Sequence, residues 1–226
     1  MHQSASEDAA DHIREQIFTG AYPPYSRVPQ DVVAAALGIS RIPVREALVA
    51  LEGEGFVTMP TNRGAFVNPF SAYDIRSHFE LRGYTLGLAA RRCAQLENSD
   101  LVSRLEPLYR AMRATDNPEE FYQVTAAFYL AISEYGASPR ITAALSRIHN
   151  IVPGNFYAVV PGSIAAARRG YGAEVRAQRE RDPKLAIEAA VKASLAQGEC
   201  LIRLLAERGQ LVDDTEAVAH LVRYRL

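Results

Sequence analysis

Gly38-Ile39-Ser40 leaves three residues between two helical periodicities, a gap short enough for the tight turn of a helix-turn-helix. The first helix is predicted over 30–37, with Val32, Val33, Ala36 and Leu37 inward. Gly38 stops it and Ile39 bridges the turn. Ser40 opens the second helix as an N-cap, its side chain expected to accept from a free backbone N–H, a role worth about 1 kcal/mol. Val44, Leu48 and Leu51 then run along that helix until Gly53 and Gly55. Two short extended pieces follow, Phe56–Met59 and Ala65–Asn68, flanking the polar tip Pro60-Thr61-Asn62-Arg63-Gly64 of a hairpin. Upstream, residues 6–19 set Ala9, Ile13, Ile17 and Phe18 at helical spacing, and a Pro-rich turn covers 21–29. Helix, helix-turn-helix and hairpin, in that order, make a winged helix-turn-helix over residues 1–69.

DNA reading in such a unit falls on the start of the second helix, whose N-terminal residues come nearest the base edges in the major groove. Arg41 and Arg45 are four apart and share a face. An arginine fork can hold guanine O6 and N7 or straddle a phosphate. The backbone N–H groups from Ser40 to Pro43 suit a phosphate as well. Arg63, beside Gly64 at the hairpin tip, is placed to lie along the minor groove. Residues 1–70 carry five arginines and no lysine against eight acids, a net of three negative charges. Positive charge must therefore be local, with Arg41, Arg45 and Arg63 on one face and Glu7, Asp8, Asp11 and Glu15 turned away.

After Pro69 the pattern is helical throughout. Ser71-Ala72-Tyr73-Asp74, Asn117-Pro118-Glu119-Glu120, Ser138-Pro139 and Asp182-Pro183 all read as helix starts, with caps, first-turn prolines and first-turn acids in their favoured places. Helices are expected at 72–96, 99–114, 118–135, 139–151, 155–181 and 183–208, with a further one at 214–224. Residues 70–226 thus form an antiparallel all-helical bundle, and the chain is mostly α. Arg168, Arg169, Arg176, Arg179 and Arg181, mixed with Glu174 and Glu180, read as a solvated, ion-paired helix face.

At 226 residues with 48% apolar content, the chain has material for two cores. Cys93 and Cys200 are far apart in helical contexts, which suggests neither a disulfide scaffold nor a zinc knuckle and points to a reducing cytoplasm. The polar N-terminus has no signal-peptide core, and no stretch approaches the apolar length of a membrane span. Enzyme signatures are missing: there is no G-x-S-x-G elbow, P-loop, G-x-G-x-x-G, H-E-x-x-H or helical Glu-x-x-His pair. His2, His12, His78, His149 and His220 are scattered without a second ligand one turn away, so no metal site and no cofactor is expected from them.

Ser40-Arg41-Ile42-Pro43-Val44-Arg45-Glu46-Ala47-Leu48, then Leu51-Glu52-Gly53-Glu54-Gly55-Phe56-Val57 and Arg63-Gly64-x-x-Val67, closely resemble the GntR family of bacterial regulators. Ile17-x-x-Gly20, Pro24 and Leu37-Gly38-Ile39 fit the same pattern upstream. The helical remainder, from Asp74 through Arg82 to Asp182-Pro183, is similar to the FadR-type branch with its FCD ligand-binding domain. The resemblance implies DNA contacts at Ser40, Arg41, Arg45 and Gly64, with Pro43 near the backbone. This chain departs from the family at Asp31, where relatives place a polar or basic residue close to phosphate. It departs again at Tyr25 and Gln30, where glycine and glutamate are common.

FCD domains commonly hold a divalent metal through an Asp, a His four residues on, and two further His. Aligned by Phe128-Tyr129 and Asp182-Pro183, those positions are Thr125, Tyr129, Tyr171 and Ser194 here, none of them a competent neutral-pH ligand for zinc or nickel. All four are polar and able to hydrogen-bond an effector in a metal-free pocket. The two tyrosines serve equally well as ordinary core residues. Arg82 stands where the family places an arginine near its pocket, or acts as a salt-bridging helix arginine.

The resemblance implies a dimeric, ligand-responsive regulator of operator DNA, most commonly a repressor released by a small organic effector. Two other readings stand beside it. One is a metal-dependent, carboxylate-sensing regulator with its ligands elsewhere, and the other is a helical-bundle protein or enzyme that does not bind DNA.

Overall fold

The computed structural model describes residues 4–97, 99–148, 151–152 and 154–215. The chain divides into two compact units. The first gathers the chain up to Ala72 with short pieces around residues 150–153 and from Gly209 on; the second comprises Tyr73–His149 and Gly154–Arg208.

In the first unit, α1 (Ala5–Phe18) begins at a capping box in which Ser4 Oγ accepts from the Glu7 N–H and the Ser4 N–H donates to the Glu7 carboxylate. Helices α2 (Gln30–Leu37) and α3 (Arg41–Gly53) follow, and α1 lies against α3. Gly38 ends α2 at φ +66°, a left-handed conformation that a residue without Cβ adopts freely. Ala9, Ile13 and Ile17 of α1 meet Val44, Leu48 and Leu51 of α3 in one core. The face that α2 buries carries Val33 and Ala34, while Val32 and Ala36, expected inward, are exposed. Adjacent valines satisfy the apolar pattern either way, and the crossing against α1 and α3 decides which one is buried.

Arg14, 5% exposed, joins α1 to the end of α3. Its guanidinium donates to both Glu54 carboxylate oxygens at 2.8 and 2.9 Å, takes Asp11 at 2.6 Å, and lies 5.8 Å from the Phe56 ring centroid. One of the five arginines of this region is therefore committed to internal structure.

The wing consists of β1 (Val57–Thr58) and β2 (Phe66–Val67), antiparallel with Val57 opposite Val67. Asn68 ties its base: Nδ2 donates to the Gly55 carbonyl, and Oδ1 accepts from the Thr58 hydroxyl, both at 2.7 Å. The Pro-rich segment before α2 does more than turn. Tyr25 N–H donates to Val67 O, Val67 N–H to Ser26 O and Val28 N–H to Ala65 O, so it borders β2 as a third extended edge. Tyr25 adopts φ +67°, which explains why glycine is common at this position in the resembling family. A parallel pair, β3 (Phe70–Ser71) with β4 (Leu211–Val212), brings the chain after the last long helix back to this unit. No strand-like stretch is expected from the sequence after residue 70, and two residues are too few to register as alternation.

The second unit is helical: α4 (Ala72–Gln95), α5 (Ser99–Ala114), α6 (Pro118–Gly136), α7 (Pro139–Ile148), α8 (Phe156–Val159), α9 (Ser163–Glu180) and α10 (Pro183–Glu207). Asn117 and Asp182 act as the expected N-caps, each side chain accepting two backbone N–H groups ahead of a first-turn proline. The single helix expected at 155–181 is two helices, α8 and α9, parted at Val160-Pro161-Gly162, where Gly162 turns the chain at φ +77°. The helix expected at 214–224 lies almost wholly outside the described residues. Helices α9 and α10 pack along each other, and the core runs through Phe121, Phe128, Leu101, Leu105, Met112 and Tyr171.

Candidate DNA-reading surface and effector site

The first unit presents the N-terminus of α3 to solvent. Ser40 has extended backbone angles but makes no side-chain cap bond, contrary to the expected capping role, and its hydroxyl is exposed. Arg41 and Arg45 are exposed on one face, and Pro43 is half-buried between them. Arg41 is ion-paired with Asp31 of α2, with both side chains largely in water. Arg63 is exposed at the wing tip. Gly64 next to it sits at φ +89°, and a Cβ there would meet the Arg27 guanidinium at 2.8 Å. Arg27 thereby joins the wing cations, although the sequence around it predicts only a turn.

In the second unit, the four positions aligned with the family's ligands come together with Arg82. Thr125 and Tyr129 project from α6, Tyr171 from α9, Ser194 from α10 and Arg82 from α4. The Tyr129 and Tyr171 ring centroids are 5.6 Å apart. The Arg82 guanidinium lies 5.5 Å from the Tyr129 centroid and reaches Ser194 Oγ at 3.4 Å; that hydroxyl in turn donates to the Phe79 carbonyl at 2.7 Å. Arg82 is thus a buried member of this cluster, and among the described residues no salt bridge holds it. The two tyrosines also belong to the core, so both readings of them apply.

Two members of the cluster were not singled out from the sequence. Tyr157 of α8 brings its hydroxyl to 3.4 Å from that of Tyr171. Glu174, one turn from Tyr171 on α9, is 2% exposed, and its Oε1 has no hydrogen-bond partner. The solvated face expected for α9 is therefore wrong at this residue. Arg179 does pair outward with Glu106 at 2.7 Å. Arg168, half-buried, donates to the Met112 carbonyl at 2.9 Å and to Asp116 at 2.7 Å at the end of α5. One turn along α10 from Ser194, Gln197 is buried with its Nε2 unpartnered.

Burial dominates the electrostatics. It pushes the Tyr129, Tyr157 and Tyr171 phenols above their ordinary range, and the nearby Glu174 charge adds to this. Burial likewise pushes the Glu174 carboxyl up to about 8, against the opposing pull of Arg82.

The donors do not fit the metal that FCD domains commonly hold. Three high-lying phenols, two aliphatic hydroxyls and one carboxylate, with no imidazole or thiolate, make a poor set for zinc or nickel. Among the described residues no group of three or more His, Cys, Asp and Glu is gathered. His2, His149 and His220 lie outside the described residues. His12 and His78 are half-buried in different units.

A family model for bacterial regulatory proteins of the gntR family matches residues 5–67, and one for the FCD domain matches residues 78–196, more than half of the chain. This chain is a GntR-family transcriptional regulator with an FCD domain. The regulator is 29% identical over 201 residues to an uncharacterized HTH-type transcriptional regulator of Mycobacterium tuberculosis, covering 89% of this chain and 82% of that one. It is 38% identical over 72 residues to the Nta operon transcriptional regulator of Aminobacter aminovorans, covering 32% of this chain and 34% of the other. Among solved structures, Lar of Listeria monocytogenes, which controls expression of the agr system, superposes with a TM-score of 0.59 at 16% identity, covering 90% of this chain and 99% of that one. Escherichia coli McbR/YncC gives 0.56 at 21% identity, covering 92% and 100%. At these identities the structural likeness is one of fold. The regulator is a DNA-binding protein, not an enzyme. Among its described helices none is long and apolar enough to cross a membrane.

Proposed function

We propose that this regulator binds a short inverted-repeat operator as a homodimer in the cytoplasm and acts as a repressor whose grip is set by a small organic effector held without metal. The observation that carries this reading is the buried cluster of Arg82, Thr125, Tyr129, Tyr171 and Ser194, which stands where the family builds its sensor site but has exchanged metal ligands for phenols and hydroxyls. Such a site suits a neutral or singly anionic molecule with an apolar body, met by aromatic faces and a few hydrogen bonds.

On the DNA side, Ser40, Arg41, Pro43 and Arg45 form the reading edge of α3, and Arg63 with Gly64 forms the wing contact. The uncapped Ser40 hydroxyl is free to meet a phosphate, and Arg45 and Arg63 carry no ion pair among the described residues. One recognition helix spans only a few base pairs, so a two-fold pair is needed for a specific site. Leu81, Tyr84 and Leu88 support the pairing: they form an exposed apolar stripe along α4 at spacings of three and four. Effector binding then acts by favouring one arrangement of the two DNA heads over another.

The test is footprinting of the purified protein on DNA flanking its own gene, followed by titration of effector candidates into the complex. A protected inverted repeat, released on titration, is the expected result. Binding that shows no sequence preference at matched salt overturns the operator reading.

A further inference from the structure

Arg82 and Glu174 are both buried in one cluster, 8% and 2% exposed, yet neither is in an ion pair with the other or with any other described residue. The Arg82 guanidinium faces the Tyr129 ring and the Ser194 hydroxyl, and Glu174 Oε1 has no hydrogen-bond partner. Buried charges in proteins are ordinarily paired, because removing a charge from water is costly unless another group replaces the solvent. A guanidinium and a carboxyl that share one desolvated cluster without joining are each short of a partner, and one molecule with complementary groups at its two ends would supply both.

The surroundings say what each end takes. Glu174 lies near enough to Tyr129, Tyr157 and Tyr171 for its charge to act on all three phenols. A carboxylate among aromatic rings is the environment that holds an ammonium group, by ion pairing on one side and cation–π attraction on the other. An arginine stacked on an aromatic ring, with donors to spare, takes a carboxylate.

We propose that the effector is zwitterionic, an amino acid or close analogue, with its protonated amine on Glu174, its carboxylate on Arg82 and its apolar body against Tyr129, Tyr157 and Tyr171. The inference rests on the reading of this cluster as the effector site. It narrows that reading to net-neutral molecules with two opposite charges. An acid without an amine leaves Glu174 unmatched, and an amine without an acid leaves Arg82 unmatched; a zwitterion satisfies both at once. Burial pushes the Glu174 carboxyl up to about 8, which keeps it largely protonated near neutral pH in the free protein, and an ammonium group beside it would favour the charged form.

The test uses the full-length protein in thermal-shift and calorimetric titrations with three matched panels: the proteinogenic amino acids, their des-amino carboxylic acids and their decarboxylated amines. At least one amino acid should bind about tenfold or more tightly than its acid and amine counterparts. Glu174→Gln should erase the margin over the acid while leaving the acid's own affinity unchanged. Arg82→Gln should erase the margin over the amine. If des-amino acids bind as tightly as amino acids in the wild type, the zwitterion proposal falls while the site itself stands. If no compound of any panel binds, both the proposal and the effector-site reading fall. Margins that survive Glu174→Gln also overturn the proposal.

Discussion

Arg41, at the start of α3, is ion-paired with Asp31 on α2, so the free protein holds one of the cations proposed to read DNA against a carboxylate of its own. Both partners are largely exposed, and an exposed pair contributes at most about 1 kcal/mol. DNA must displace Asp31 to engage Arg41. Asp31→Asn should therefore tighten operator binding by up to roughly fivefold. Arg41→Ala or Arg45→Ala should instead cost about 1–3 kcal/mol of affinity with little effect on melting temperature. Fluorescence anisotropy on the footprinted repeat measures both. Unchanged affinity in either arginine variant would remove that residue from the reading edge.

The wing is tested at Gly64. Its φ of +89° strains any L-residue, most of all a β-branched one, and a new Cβ would press on the Arg27 side chain. Gly64→Val should weaken operator binding with Arg63 still in place. Gel-shift midpoints must be compared at one salt concentration, because phosphate contacts make affinity steeply salt-dependent. A midpoint equal to wild type argues against a wing that faces DNA.

Glu174 makes the stability of the ligand-free protein depend on pH. Its carboxyl titrates near 8 when folded and near 4.5 when exposed, so the folded state binds more protons between those values. The facing groups are Arg82 from α4, Tyr129 from α6, Tyr157 from α8 and Tyr171 from α9. Its contribution is fully present below about pH 4.5 and is lost as pH rises through 8, with a slope approaching about 1.4 kcal/mol per pH unit in between. Denaturant titrations of wild type and Glu174→Gln across that window should diverge by this slope, with the variant flatter. Parallel curves would mean that Glu174 is solvated in the folded protein.

Subunit pairing is tested on the α4 stripe. Leu81→Glu combined with Tyr84→Glu places two charges on its apolar face, away from Arg82, which points inward. Light scattering should report half the wild-type mass. Operator affinity should fall steeply, because each half-site then binds without the effective concentration that its partner supplies. A double variant that stays dimeric moves the interface elsewhere.

Metal is tested directly. Zinc or nickel should leave the wild-type melting temperature unmoved, whereas a bound effector at a hundredfold excess over its Kd stabilises by about 2.7 kcal/mol. Combining Thr125→Asp with Tyr129→His, Tyr171→His and Ser194→His should install metal binding, since the four positions converge. Stoichiometric zinc or nickel uptake by the wild type in calorimetry would restore the metal-sensing reading.

The amino-acid sequence alone determined the elements whose signals are local. Gly38 and Gly20 end helices, Asn117-Pro118 and Asp182-Pro183 begin them, and Gly38-Ile39-Ser40 sets a tight turn between two helices. Each signal acts through backbone groups within one turn of itself, so neighbouring residues suffice to read it. Thr125 and Tyr129, four apart, share a face of α6 by helical spacing alone, whereas their grouping with Tyr171 and Ser194 of other helices is what the family resemblance implies. Tertiary structure decided what depends on a partner distant in sequence. Packing against α1 and α3 buries Val33 and leaves Val32 in water, and pairing with residues 211–212 makes a strand of Phe70–Ser71. Glu174 is the clearest case. In its helix, tyrosine, arginine, glutamate and alanine alternate without a clean apolar stripe, so the sequence pattern treats it as one more solvated charge. Only the convergence of α4, α6, α8 and α10 on that turn of α9 removes it from water and sets it beside Arg82. Burial is a property of what surrounds a residue, and those surroundings are contributed by residues up to about a hundred positions away in the chain.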